Sequence, residues 1–214
     1  MNILITAGPT REYLDDVRYL SNASTGRMGY ALAEAARAAG HRVTLVHGPT
    51  AERPPETGTV IPVTSAQEMF DAVAREFGEC DCLIACAAVS DYRPRDRTPG
   101  KIKREDAGTL TLELVQNPDI VREMASRRRK DQVVLGFALE TADAETAARR
   151  KLVTKGLDAI VLNAASAIGA EETEITMFCP GAADAETFRG TKADAADRII
   201  ALAERLADAR RAEP

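Results

Sequence analysis

The sequence predicts an α/β fold in which a mostly parallel sheet is covered by helices on both faces. Three observations carry that reading. Apolar runs such as Ile3-Leu4-Ile5, Leu83-Ile84 and Val133-Val134-Leu135 do not alternate with polar residues, the pattern of strands buried on both sides. Helical segments separate them in the order β-α-β-β-α-β up to the run that ends at Ala88. Strand ends are marked by Gly8-Pro9 and Gly48-Pro49, and a helix start by Ser65 with Glu68 three residues on.

Residues 3–10 read as a strand stopped by Gly-Pro, followed by a loop to about residue 24 that is long for a first βα connection and therefore points to function. Residues 26–39 give an Ala-rich helix closed by Gly40, and residues 42–47 a second strand. A Pro-rich turn over 52–58 leads to a short strand at 59–63, then to a helix from the Ser65 cap to about Phe77. The run 80–88 is a strand that places Cys80, Cys82 and Cys86 on one face as small buried hydrophobes. A polar stretch with two prolines and the run Lys101-Ile102-Lys103-Arg104 forms a flap over about 91–108, and residues 109–115 alternate as a half-exposed strand.

Asn117-Pro118-Asp119-Ile120 opens a helix with proline at its first position. Residues 132–138 are a buried strand, 141–155 a helix and 157–163 another strand. A hairpin over about 173–190, turning at Pro180-Gly181, precedes a last helix over 192–209. The expected whole is one domain, 1–214: a mostly parallel, Rossmann-like three-layer sheet with an added C-terminal β-hairpin.

Composition narrows the function. With 214 residues the chain can bury a substantial core, and its apolar fraction of 45% is that of an ordinary soluble domain. No apolar run is long enough to span a membrane, and the first residues lack the marks of a signal peptide, so the cytoplasm is the expected location. A net charge of −5 argues against a broad nucleic-acid-binding face. The basic run Arg127-Arg128-Arg129-Lys130 falls at a helix end, where it complements the dipole. The C-x-C-x₃-C spacing of Cys80, Cys82 and Cys86 lacks C-x₂-C pairing and a nearby histidine, so core packing is preferred to a metal site; metal ligands are left unassigned.

The segment from Asp15 to Gly29 holds two glycines, Ser21, Ser24, Thr25, Asn22, Arg18 and Arg27 just where a helix begins. Backbone N–H groups and a helix dipole there suit an anion. In parallel sheets ligands sit at the carboxyl ends of strands beside the switch point, where Gly8-Pro9-Thr10 and residues 87–91 are expected. A dinucleotide oxidoreductase is disfavoured: the first turn lacks G-x-G-x-x-G, and the second strand ends His47-Gly48 with no acidic residue. Each local signal also has a plain explanation. Gly26 and Gly29 could serve helix packing, Lys101-Ile102-Lys103-Arg104 a solvated loop, and Lys151 with Lys155 a solvent-facing pair.

Six segments taken together resemble bacterial phosphopantothenate–cysteine ligase: Gly8-Pro9-Thr10-Arg11-Glu12, residues 17–29, Ala87-Ala88-Val89-Ser90-Asp91-Tyr92-Arg93, Lys101-Ile102-Lys103, Asn117-Pro118-Asp119-Ile120 and Gly136-Phe137-Ala138. They run in the family's order. The resemblance is to a stand-alone form without the flavin-dependent decarboxylase half of the bifunctional proteins, so no flavin is expected, while a separate decarboxylase is a conceivable partner.

The resemblance implies that phosphopantothenate attacks CTP to give an acyl-cytidylate and pyrophosphate, after which cysteine expels CMP. It implies Mg²⁺ carried with the triphosphate as the metal. Asn22 matches the residue that holds the acyl-cytidylate, and Lys101 the catalytic flap lysine. Arg18 and Ala88 match residues near phosphopantothenate. The nucleotide site would use Ala85, Cys86, Ala87, Asp91, Asn117, Pro118, Asp119, Ile120, Phe137, Lys151 and Lys155, with Gly8, Ser24, Gly26 and Gly29 on the phosphate side. The family further implies a homodimer whose flap completes the neighbouring site, with residues 174–189 helping the interface. Thr25 stands in place of the commoner serine, Leu139 in place of a small residue, and Ala164 in place of an acidic one. The alternatives carried are the same reaction driven by ATP and a catalytically silent nucleotide-binding subunit.

Overall fold

A computed structural model describes residues 1–104, 108–140, 143–164, 172–182 and 184–212. The expected flap tip at 105–107, the expected helix start at 141–142 and part of the hairpin turn at 183 lie outside the described residues.

The first strand, β1 (Asn2–Ala7), is followed by a ribbon of two short antiparallel strands, β2 (Arg11–Tyr13) and β3 (Tyr19–Ser21). Helix α1 (Arg27–Ala38), β4 (Arg42–His47), β5 (Gly58–Pro62), α2 (Ala66–Phe77) and β6 (Cys82–Ala85) come next. A second ribbon pairs β7 (Tyr92–Pro94) with β8 (Leu114–Gln116). The chain continues through α3 (Ile120–Arg127), β9 (Val133–Glu140), α4 (Ala144–Thr154) and β10 (Ala159–Ala164). It closes with β11 (Glu172–Phe178), β12 (Glu186–Thr191) and α5 (Lys192–Ala212).

Eight strands form one sheet in the order β12-β11-β10-β9-β6-β1-β4-β5. The six from β5 to β10 are parallel, and β11 and β12 extend the sheet as an antiparallel hairpin. This is the expected architecture, the hairpin included. Alternate residues of each strand enter opposite cores: Ile3, Ile5 and Ala7 pack with α1 and α5, whereas Leu4 packs with α2, α3 and α4. Both faces are therefore dry, which is why the strands read as unbroken apolar runs.

Some expectations are corrected. The long first loop contains the β2–β3 ribbon. Pro118 precedes the helix: Asp119 is its cap, accepting the Arg122 N–H at 3.1 Å, and Ile120 is the first helical residue. A carboxylate at the cap satisfies a free N–H, which proline cannot do. Of the strand expected at 109–115 only its end pairs, as β8, and Leu110 and Leu112 are exposed. Cys80 lies before β6 and packs in the α2–α4 core, while Cys82 and Cys86 face the other; the three do not share a strand face. At Ser65 the cap forms as expected, its Oγ accepting Glu68 N–H at 3.1 Å, but Glu68 Oε2 reaches back one residue further, to Thr64 N–H at 2.7 Å.

Candidate active site

The chain leaves β1 toward β4 and β5 in one direction and returns through β6 and β9 in the other, so the sheet reverses between β1 and β6. Helices attached to diverging strands leave a crevice there. Its floor is tied together by residues just past the two strand ends. Ala87 N–H donates to Thr6 Oγ1 at 3.1 Å, Ala88 N–H to Gly8 O at 2.9 Å, and Ser90 N–H to Thr10 Oγ1 at 3.0 Å. Asn22, exposed on the loop before α1, donates its Nδ2 to Ala88 O at 2.9 Å and so bridges the helix approach to this floor.

Helix α1 begins at the crevice without a side-chain cap. Its cap residue is Gly26, at φ 79°, and no acidic residue occupies its first turn. A left-handed cap with 2.8 Å between an added Cβ and Thr50 Cγ2 requires glycine. Ser24 Oγ accepts Gly26 N–H at 3.3 Å, closing the turn. Gly29 serves packing: a Cβ there would lie 2.4 Å from Ala7 Cβ, so helix and strand touch only because it is absent.

On the opposite layer, Asp119 at the start of α3 accepts Lys155 Nζ at 3.0 Å. The Asn117 side chain is committed, donating to Ser90 O at 2.8 Å and accepting from Arg93 Nη1 at 3.0 Å. It therefore builds the wall, and its backbone N–H donates to Asp91 O at 2.8 Å in the same wall. The half-buried Phe137, which packs against the α1–α5 core, and Ile120 and Val89, which belong to the α2–α4 core, give the cleft apolar lining from both faces of the sheet. Together these elements enclose a cleft of about 780 Å³, room for a nucleotide-sized ligand.

The cleft brings together Gly8, Asn22, Ser24, Gly26, Gly29, Ala85, Cys86, Ala87, Ala88 and Asp91, and, from later in the chain, Asn117, Pro118, Asp119, Ile120, Phe137, Lys151 and Lys155. Thr25 and Leu139, two of the three departures from the common motifs, line it too. Two of the expected residues are elsewhere. Arg18 is bound to Asp15, and Lys101 sits exposed on a flap segment whose base docks on residues 14–18, neither of them lining the cleft of its own chain. Arg27, counted in the 15–29 segment, lines the cleft from α1, while sequence reading missed Arg122 and Lys192, which line it from α3 and α5. Nothing local in the sequence ties the start of the last helix to the start of the first.

Cys86, although in the cleft, is a poor nucleophile, since burial pushes its thiol up to about 12. Among the described residues there is no group of three His, Cys, Asp or Glu able to cage a metal, and no helix long and apolar enough to cross a membrane.

A crevice at the switch point, cations from both helical layers and an uncapped helix start give an α/β protein whose cleft is arranged to suit an anion. Comparison with known proteins makes this specific. The chain belongs to the family described as DNA/pantothenate metabolism flavoprotein C-terminal domain, whose model matches residues 1–206. It is 46% identical over 184 residues to the coenzyme A biosynthesis bifunctional protein CoaBC of Vibrio vulnificus (strain YJ016), covering 84% of this chain and 46% of that protein. To the CoaBC protein of Bacillus subtilis (strain 168) it is 44% identical over 182 residues, covering 83% and 44%. The chain thus spans a little under half the length of these curated relatives. A crystal structure of the C-terminal domain of a CoaBC protein superposes with a TM-score of 0.81 at 37% identity, covering 97% of this chain and 95% of that one.

Proposed function

We propose that this chain is a phosphopantothenate–cysteine ligase of coenzyme A biosynthesis, activating its acid substrate with CTP. The observation that carries the reading is the convergence in one cleft of Asn22, the Gly26 helix start, the backbone of residues 85–88 and the 117–120 segment. These are the segments the resemblance assigns to one active site, and the relatives named above belong to that pathway.

The chemistry needs positioning and charge compensation, with no protein nucleophile. The phosphopantothenate carboxylate attacks the α-phosphorus of CTP and pyrophosphate leaves; the cysteine amine then attacks the acyl carbon and CMP leaves. The start of α1 and the Ser24 hydroxyl stabilise phosphate charge. Asn22, anchored through Nδ2 to Ala88 O, keeps Oδ1 as an acceptor for the intermediate. Lys155, held by Asp119, and Lys151 address the nucleotide from α4. Mg²⁺ would arrive with the triphosphate and neutralise part of its charge, with the exposed Asp91 as the hard oxygen donor suited to it, because Asp119 is already engaged. The family name contains the word flavoprotein; this reaction uses no flavin.

Lys101 enters as a residue supplied in trans. Its flap base is fixed to the 14–18 loop of its own chain, away from its own cleft, which supports a homodimer in which each flap completes the neighbouring site.

Incubation with phosphopantothenate, cysteine and either CTP or ATP tests the reading. Release of CMP with formation of phosphopantothenoylcysteine is expected. AMP in place of CMP would reassign the donor, and no monophosphate from any nucleotide would remove the ligase function.

A further inference from the structure

The β2–β3 ribbon carries a second cavity beside the cleft, of about 390 Å³, room for a small amino acid. Asn22, Ser24 and Thr25 border both. Arg11 and Tyr19 line it from the ribbon, and Glu52 from the loop after β4. The ribbon is a fixed base: Arg11 N–H donates to Thr64 O at 2.8 Å, and the buried Glu12 accepts Ala66 N–H through Oε1 at 2.9 Å. The Arg11 guanidinium lies over the Tyr19 ring, 4.6 Å from its centroid, and among the described residues no carboxylate pairs with it. A guanidinium stacked on a ring keeps its planar N–H edge for a carboxylate.

Glu52 is set in the loop wall by two bonds. Its Oε1 accepts Arg27 Nε at 2.7 Å, and its backbone O accepts Thr50 Oγ1 at 2.9 Å. The cavity therefore joins a cation without an acid of its own to a carboxylate, which suits the two charges of an α-amino acid. Although Arg27 shares it, the Glu52 charge counts against a phosphate dianion in the same place, since like charges repel. The ligase reaction needs such a cavity. Nucleotide and acid fill the main cleft in that reading, with the acyl group at Asn22, and the amine has to reach the acyl carbon before CMP has left.

We propose that this second cavity binds the cysteine substrate, with Arg11 gripping its α-carboxylate, so that the amine meets the acyl group at Asn22, where the two cavities join. The proposal rests on the ligase reading above and places its third substrate. The ammonium gives one proton to water and the amine forms the C–N bond. The acyl C–O bond then breaks with its electron pair going to CMP, and the nitrogen's second surplus proton passes to water.

Steady-state kinetics with cysteine and with cysteamine, which has the same amine and thiol and no carboxylate, test this in wild type, Arg11→Gln and Arg11→Met of matched melting temperature. Wild type should prefer cysteine. In both variants kcat/KM for cysteine should fall about tenfold, the order of one lost charge-assisted contact, while that for cysteamine stays within about twofold. The KM values for CTP and phosphopantothenate should stay within about twofold as well. Equal losses for cysteine and cysteamine, an unchanged kcat/KM for cysteine, or a rise in the KM for phosphopantothenate in place of cysteine would each overturn the assignment. If no nucleotide yields a monophosphate, the ligase reading falls, and calorimetric titration of the same chains with cysteine decides the cavity alone. Cysteine binding that Arg11→Gln abolishes upholds an amino-acid site; no binding, or binding that the variant leaves unchanged, overturns it.

Discussion

Asp15 holds Arg18 from beneath the flap. The carboxylate is wholly buried; its Oδ2 accepts Arg18 Nε at 2.9 Å and Nη2 at 2.5 Å, and its Oδ1 accepts the backbone N–H groups of Val17 and Arg18. The same Oδ2 takes Ile102 N–H at 3.0 Å, while Arg18 Nη2 donates to Ile102 O at 2.6 Å. One side chain thus fixes the arginine, the loop and the residue after Lys101. Burial by itself would raise the Asp15 pKa, but the Arg18 guanidinium and three backbone N–H donors outweigh it and hold the carboxyl well below its ordinary range.

Asp15→Asn should loosen the flap base and lower kcat/KM for phosphopantothenate by tenfold or more, on the order of one charge-assisted contact. A lowered folded-state pKa contributes stability above the unfolded value of about 4, and that contribution is lost as pH falls toward the folded value. The stability gap between wild type and Asp15→Asn should therefore stay flat at neutral pH and shrink below about pH 4. Urea melts across that range check it; a gap that widens on acidification contradicts the assignment.

Asn22→Ala removes the bridge to Ala88 O. Pyrophosphate release should continue while phosphopantothenoylcysteine formation falls about a hundredfold, the usual cost of losing one positioned polar contact in an active site. Rapid-quench detection of accumulated acyl-cytidylate is the readout. Normal product formation would remove Asn22 from the second step.

Lys101→Ala should abolish turnover with an unchanged melting temperature, since the side chain is exposed and packs in no core. Mixing Lys101→Ala with Asn22→Ala chains should restore about a quarter of wild-type activity through mixed dimers with one intact site. No recovery after subunit exchange would place Lys101 in its own chain's site.

Gly29→Ala should cost about 1–3 kcal/mol by overpacking, because the new methyl group meets Ala7 Cβ at 2.4 Å. Denaturant titration reads the loss directly. A neutral outcome would show that α1 can shift away from β1.

Asp158 makes a second buried anchor, remote from the cleft. It is 6% exposed, accepts Val134 N–H at 2.8 Å, pairs with Arg210 from α5 and lies 3.7 Å from Arg128. Asp158→Ala should destabilise by roughly 2–4 kcal/mol, below the full value for a buried pair because Arg210 is partly solvated. CTP affinity in the folded variant should be unchanged; an equal loss of nucleotide binding would tie this clamp to the site.

Most of the main sheet was legible because both of its faces are buried, and strand after strand is announced by apolar runs between caps and Gly-Pro stops. The two ribbons were not. Each strand of β2–β3 and β7–β8 is only three residues long, too short for alternation to show, and each pairs across a loop. Pro118 misled for a related reason: proline suits the first helical position, yet the neighbouring Asp119 offers a cap bond that proline lacks and moves the boundary by two residues. In the cleft, the resemblance carried Lys151 and Lys155, whose spacing alone fits a solvent-facing pair as well. Lys192 carried no local mark at all.

By itself the sequence determined the parallel α/β architecture, the helix starts at Gly26 and Ser65, and the family-like motifs that mark the loops of interest. These are local properties, written in periods of two and 3.6 residues and in capping chemistry. Only the tertiary structure decided which of those loops meet. Strand order brings Gly8 beside Ala88, helix packing brings Lys192 beside Arg27, and Asp15 holds Arg18 and the flap base outside the cleft. Contacts between distant segments depend on how whole elements bury their apolar faces, and that information belongs to no single stretch of chain.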